Sequence, residues 1–201
     1  MIFVPGDTQS VLSNTGTIFA AYQSPDVIFY ETFAIFSLQK LLSILSLYND
    51  PEININDKFL VISSQIDKKV CNYQLTNPDF IKYEKNTDKY KKMKEDYSFD
   101  LTFSDFSGIM KLANILKSEF LVFRGDGSKI YFEVANNNEN GDSGSIELGE
   151  TDMTFKVALN KELLNLQENN YKVIISKKGA ISFQSNKITY FMAVNKEKSS
   201  L

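Results

Sequence analysis

Two hydrophobic periods alternate along this chain. Between Ser37 and Tyr48 apolar residues recur at helical spacing through Leu38, Leu41, Leu42, Leu45 and Tyr48, with Ser37 as a candidate N-cap and Asn49-Asp50-Pro51 as a stop. The same spacing runs from Ser104 to Ser118 through Phe106, Ile109, Met110, Ala113 and Leu116. A shorter stretch from Asn160 to about Gln167, carrying Leu163, Leu164 and Leu166, predicts a third helix. Period-two alternation surrounds each of these. It enters them through 32–36, through Phe99, Leu101 and Phe103, and through Met153, Phe155, Val157 and Leu159. It leaves them through 52–55, 58–63 and 69–73; through 120–124, 129–135 and 145–148; and through 171–176, 180–184 and 187–194. Gly125-Asp126-Gly127 and Lys177-Lys178-Gly179 supply turn chemistry between strands.

The unit is thus strand, helix, strand, strand, strand, and it occurs in full three times. The opening of the chain adds three short strands, 2–4, 10–13 and 17–23, with Asn14-Thr15-Gly16 as a turn. They match the back half of a fourth unit whose first strand and helix, roughly 20 residues at average element lengths, are expected to be missing. Such a loss predicts uncovered apolar surface and an unpaired strand edge in the first domain. The stretch from Gln74 to Asp96 has no period and carries Lys82, Lys85, Lys89, Lys91, Lys92 and Lys94 among acids, as a solvated connector would. The expected organisation is an N-terminal domain over 1–75, a connector over 76–97 and a C-terminal domain over 98–201, in the α+β class.

Composition narrows the chemistry. Histidine is absent and Cys71 is the one cysteine, which removes His general bases, His-ligated metals and internal disulfides. No nucleophile–base pair or phosphate loop stands out. The expectation is a protein that is not an enzyme and needs no metal or cofactor. No signal peptide or long apolar run is visible, so no membrane role is expected. Of the 22 basic residues only Arg124 is an arginine, and the net charge is −3. Bidentate reading of guanine is therefore available once per copy, whereas lysines contact phosphate without reading sequence. Arg124-Gly125-Asp126 spells an adhesion tripeptide, but its setting is that of a hairpin.

The polar faces of the first two helices carry small neutral groups and lysines, with acids only near the ends. Lys40 and Ser43 on the first, Lys111, Asn114 and Lys117 on the second, and Lys161 on the third are candidates to track a nucleic-acid backbone.

The ordered segments from Phe33 to Leu38, from Leu41 to Glu52, Phe123 with 125–128, Glu147 to Asp152 before Thr154-Phe155, and Tyr190 to Val194 resemble the DNA polymerase sliding clamps of T-even-like tailed phages. The resemblance implies two clamp-type domains per chain and a homotrimeric ring, with sheets outside and helices lining a central hole around duplex DNA. It implies as partners the DNA polymerase, the clamp-loader ATPase and RNA polymerase accessory proteins of late transcription, in the cytoplasm of an infected bacterium. It also implies a hydrophobic pocket for partner peptides near the connector, for which Phe80, Tyr83, Ile175 and Phe191 are candidates. The alternatives are a structural phage tail or baseplate protein, and a small β-rich binding module, neither with a DNA role.

Overall fold

The computed structural model describes residues 1–24, 26–81, 83, 90, 92–135 and 141–201. The connector lysines Lys82, Lys85, Lys89 and Lys91 lie outside the described residues. By internal packing the chain divides into two compact units. The first is Met1–Asn14 with Ala21–Lys85, and the second is Thr15–Ala20 with Asn86–Leu201.

In the first unit, β1 (Ile2–Phe3), β2 (Thr8–Leu12) and the end of β3 (Ile18–Gln23), whose first three residues belong to the second unit, precede β4 (Phe33–Ala34), helix α1 (Leu38–Leu45), β5 (Glu52–Ile55), β6 (Phe59–Ser64) and β7 (Lys69–Gln74). β1 pairs antiparallel with β4, and β5-β6-β7 form an antiparallel three-stranded sheet. Ser37 caps α1, its hydroxyl accepting from the Lys40 amide at 3.2 Å. The core is small: Phe33, Ile35, Leu41, Leu60, Ile62 and Tyr73.

The helix is shorter than its apolar stripe predicts, and the stripe divides. Only Leu41 is buried, while Leu38 and Leu42 are 41% and 55% exposed and Phe36 is 85% exposed. The sheet packs against the Leu41 side alone, which leaves the Leu38–Leu42 side as open apolar surface. β5 is one outer strand of its sheet and β7 the other.

The second unit holds two repeats. β8 (Tyr97–Leu101), helix α2 (Phe103–Ile115), β9 (Phe120–Asp126), β10 (Lys129–Ala135) and β11 (Ser143–Glu150) form one. β12 (Thr154–Asn160), a 3-10 turn at Lys161–Leu163, β13 (Tyr171–Ser176), β14 (Ala180–Gln184) and β15 (Ile188–Ala193) form the other. The opening strand of each repeat pairs outside its own repeat. β8 ladders with β13, from Tyr97↔Ile175 to Leu101↔Tyr171, and β12 ladders with β9, from Thr154↔Asp126 to Asn160↔Phe120. The sheet β11-β10-β9-β12 and the strands β15-β14-β13-β8, part of a six-stranded sheet, therefore enclose one shared core. Phe123 and Phe132, both fully buried, stack at 4.3 Å near its centre. Each such ring contributes about 1.5–3 kcal/mol by leaving water.

The segment Thr15–Ala20, expected in the first domain, packs with the second unit. Phe19 is the reason: it is 3% exposed and lies against Tyr90 and Phe191. The third predicted helix is corrected to a single 3-10 turn. Asn160 makes no side-chain capping bond there, and Leu164 and Leu166 are buried at a spacing of two, not of three or four. Two buried tyrosines fix the chain beyond it. Tyr171 donates its hydroxyl to the Gln167 carbonyl at 2.6 Å, and the Gln167 amide donates to the Tyr190 hydroxyl at 3.3 Å. Burial pushes the Tyr171 phenol above its ordinary range, so it stays a donor. Among the described residues no helix is long and apolar enough to cross a membrane.

Candidate functional site

Helix α2 begins at Thr102, whose hydroxyl accepts from the Asp105 amide at 3.1 Å and donates to the Asp105 carboxylate at 2.6 Å. Phe106, Ile109 and Ala113 bury one face against the core. That burial turns Lys111 and Asn114 outward, and both are exposed. From Phe106 to Ser118 the chain carries no acid, so the lysines of the outward face are flanked by acids only at the helix ends, at Asp105 and Glu119.

The helix ends in a left-handed turn. Leu116 is the C-cap, the Ser118 amide donates to the Ala113 carbonyl at 2.9 Å, and Lys117 sits at a φ of 53°. Glycine usually takes this position because a β-carbon there costs about 1–2 kcal/mol. Lys161 follows β12, and its amide donates to the Glu119 carbonyl at 2.8 Å. The fold thereby brings Lys161 to the end of α2 where Lys117 stands. In the first unit Lys40 and Ser43 are exposed on α1, with the Lys40 ammonium 5.7 Å from the centre of the Tyr73 ring.

Arg124 is committed elsewhere. Its guanidinium meets the Glu133 carboxylate at 2.7 and 2.8 Å and Asp126 at 3.6 Å, and lies 4.5 Å over the Tyr131 ring. Its hydrogen bond to Glu133 holds it even more firmly protonated. The cation best suited to reading bases is thus tied to the strand pair β9–β10.

A groove of about 230 Å³ opens in the second unit, lined chiefly by Phe19, Tyr90, Met93, Phe191 and the turn Gly179-Ala180. Tyr90 stacks on Phe19 at 4.0 Å and tilts toward Phe191 at 5.3 Å. Of the four residues expected to form a partner pocket, Phe191 lines this groove. Ile175 does not: it is fully buried in the core, paired with Ile181 and Tyr97, and has no surface to offer. Phe80, 81% exposed, and Tyr83, half-buried, belong to the first unit. Phe19, Tyr90 and Met93 were not foreseen. The parity of β15 carries the available signal, because Tyr190 and Met192 point inward and an aromatic at 191 must point out.

The chain that runs from Met93 into β8 is held by paired charges. Asp96 accepts from the Lys94 ammonium at 2.7 Å and from the Lys177 amide at 2.8 Å, which holds its carboxyl below the usual range. Glu95 pairs with Lys172 at 2.9 Å.

Interlocked repeats of a strand, a helix or 3-10 turn and three strands, with a lysine-bearing helix on one sheet, match the sliding-clamp fold. Residues 99–196 match the gp45 sliding clamp, C-terminal, family. Over 179 residues the chain is 25% identical to the sliding clamp of Vibrio phage KVP40, covering 86% of this chain and 80% of that one. Among solved structures, the Helicobacter pylori beta clamp bound to a DNA ligase peptide superposes with a TM-score of 0.71 at 18% identity, covering 98% of this chain and 56% of that one. A. fulgidus PCNA bound to the C-terminal region of FEN-1 gives 0.71 at 11% identity, covering 96% and 87%. The chain spans a little over half the length of the beta clamps it matches. The resemblance read from the sequence holds: the fold is that of a sliding clamp, and residues 99–196 match the gp45 sliding-clamp C-terminal family. These likenesses favour a clamp over a tail or baseplate protein.

Proposed function

We propose that this chain is a non-enzymatic sliding clamp that surrounds duplex DNA without reading its sequence and tethers the replicative polymerase during viral DNA replication. The observation that carries the reading is the outward face of α2 and its C-terminal turn, where Lys111, Asn114 and Lys117 stand with no acid between Asp105 and Glu119, while the only arginine is tied to Glu133. Lysines there hold phosphates loosely, and nothing nearby grips a base edge.

The repeats support the proposed ring. β15 closes the last repeat, and beside it within the second unit lies Ile18–Ala20 of β3, the closing strand of the shortened repeat. β7 and β11 hold the corresponding places in the other two repeats, and both are outer strands. Pairing β7 of one copy with β11 of the next repeats between chains the join that β15 makes with β3. A contact of this head-to-tail kind closes into a ring when its rotation returns to the starting copy, and the ring proposed here has three. Net negative charge is no obstacle, because only the hole needs to be positive.

The aromatic groove at Phe19 and Phe191 is the proposed seat for a segment of the polymerase. The clamp-loader ATPase and the RNA polymerase accessory proteins of late transcription are the further proposed partners, in the cytoplasm of the infected host. The connector boundaries 76–97 and the roles of Lys40, Ser43 and Lys161 in facing DNA belong to the same proposal.

The test is retention on circular nicked DNA by the double variant K111E/K117E, with solution mass measured alongside. Retention should fall while the mass stays at that of the unaltered assembly. Unchanged retention would remove α2 from the DNA-facing surface.

A further inference from the structure

β12 is the outer strand of the sheet β11-β10-β9-β12, opposite β11, and its free edge does not face solvent. The segment Asn195–Ser200 folds back along it. Lys156 and Ser200 exchange two main-chain hydrogen bonds, both 2.8 Å. The Ala158 carbonyl accepts from the Asn195 amide at 2.9 Å, and the Ala158 amide donates to the Ser199 hydroxyl at 3.0 Å. All four outward main-chain groups at the middle of β12 are thereby taken. The segment is itself braced: Ser199 donates to the Asn195 carbonyl at 2.6 Å, and the Lys198 ammonium lies 4.4 Å over the Phe120 ring. Most of it lies beyond the residues matched by the clamp family.

An outer strand with free amides and carbonyls is a template for any other strand, and proteins cover such edges to prevent it. We propose that Asn195–Ser200 is an edge guard that bars β12 from pairing with a second copy of this chain, leaving β11 as the single associating edge of that sheet. With both edges open, the sheet would accept neighbours on either side and assembly would have no fixed end. The short turn is what makes association one-sided.

Two variants test this. S200P removes the amide that donates to Lys156 and keeps the length, and a chain stopped after Asn195 removes every group contributed by Ser199 and Ser200. Amide exchange at Lys156 and Ala158 reports release of the edge and should quicken at least about tenfold. Light scattering over a concentration series reports association. The variants' mean mass should climb with concentration above the wild type's, toward polydisperse species. If the two amides exchange freely, urea unfolding remains cooperative and the mass still follows the wild type, the guard has no such role. The comparison is made against whatever mass the wild type has, so a wild type that is not a trimer would overturn the ring reading and leave this one standing.

Discussion

Gly125 and Phe155 face each other across the β9–β12 ladder so closely that a β-carbon at position 125 would stand 2.6 Å from Phe155 Cε1 and 2.8 Å from the Met153 carbonyl oxygen. The glycine is there for space. G125A should cost about 1–3 kcal/mol, because the carbonyl is backbone and cannot swing aside. Urea unfolding reads this as a lower midpoint at unchanged slope, and an unchanged midpoint would show that the ladder absorbs the methyl group.

Lys117 keeps a left-handed conformation that suits glycine better. K117G should raise stability by about 1 kcal/mol. In a clamp whose α2 faces DNA, the same change should weaken retention on nicked circular DNA. A variant that gains stability and loses retention marks the lysine as kept for its charge. Gain without loss would make Lys117 a bystander.

Because Arg124 is held by Glu133, Asp126 and the Tyr131 ring, R124Q should leave DNA retention unchanged. Its cost to folding should be modest, about 0–1 kcal/mol, since the guanidinium is partly exposed and screened. Titrating DNA binding against salt checks this: the slope should match the wild type's, whereas removing a phosphate contact would lower it by about one.

Asp96 is more acidic in the folded chain than in the unfolded one, chiefly through its contact with Lys94 and then through the Lys177 amide. Its contribution is present above the unfolded carboxyl value, about 3.9, and is lost as pH falls through the lower folded one. Urea midpoints should therefore drop on acidification from about pH 5 to pH 3. D96N should be less stable than the wild type at neutral pH and should flatten that decline. Equal declines in both chains would assign the acid sensitivity to other carboxylates.

Much of this was legible in the sequence because each strand of the second unit has one face on a single core. Tyr171–Ser176, Ala180–Gln184 and Lys129–Ala135 stand where their patterns put them. What the pattern could not carry was non-local. Leu38 and Leu42 look like core from spacing alone, and only the placement of the sheet decides that Leu41 is buried and they are not. Leu163, Leu164 and Leu166 suggest a helix until Tyr171 and Tyr190 claim the main chain at Gln167. Gly125 looks like turn chemistry beside Gly127, yet Gly127 alone takes the positive φ, at 88°, and Gly125 makes room for a ring thirty residues on. Phe191, a candidate from the resemblance, lines the groove because the parity of β15 turns it outward. Tyr90 was not foreseen, because a connector without a period gives no face to read.

The exchange of opening strands in the second unit has a consequence for synthesis. β8 is among the first parts of that unit to leave the ribosome, yet its ladder partner β13 lies some seventy residues downstream. Neither sheet-bearing repeat can close alone, so most of the unit must be translated before its core can exclude water. Such long-range pairing slows folding and prolongs the time apolar strands are exposed. Where chaperones are scarce, the yield of this protein would fall sooner than that of a helical protein of equal length.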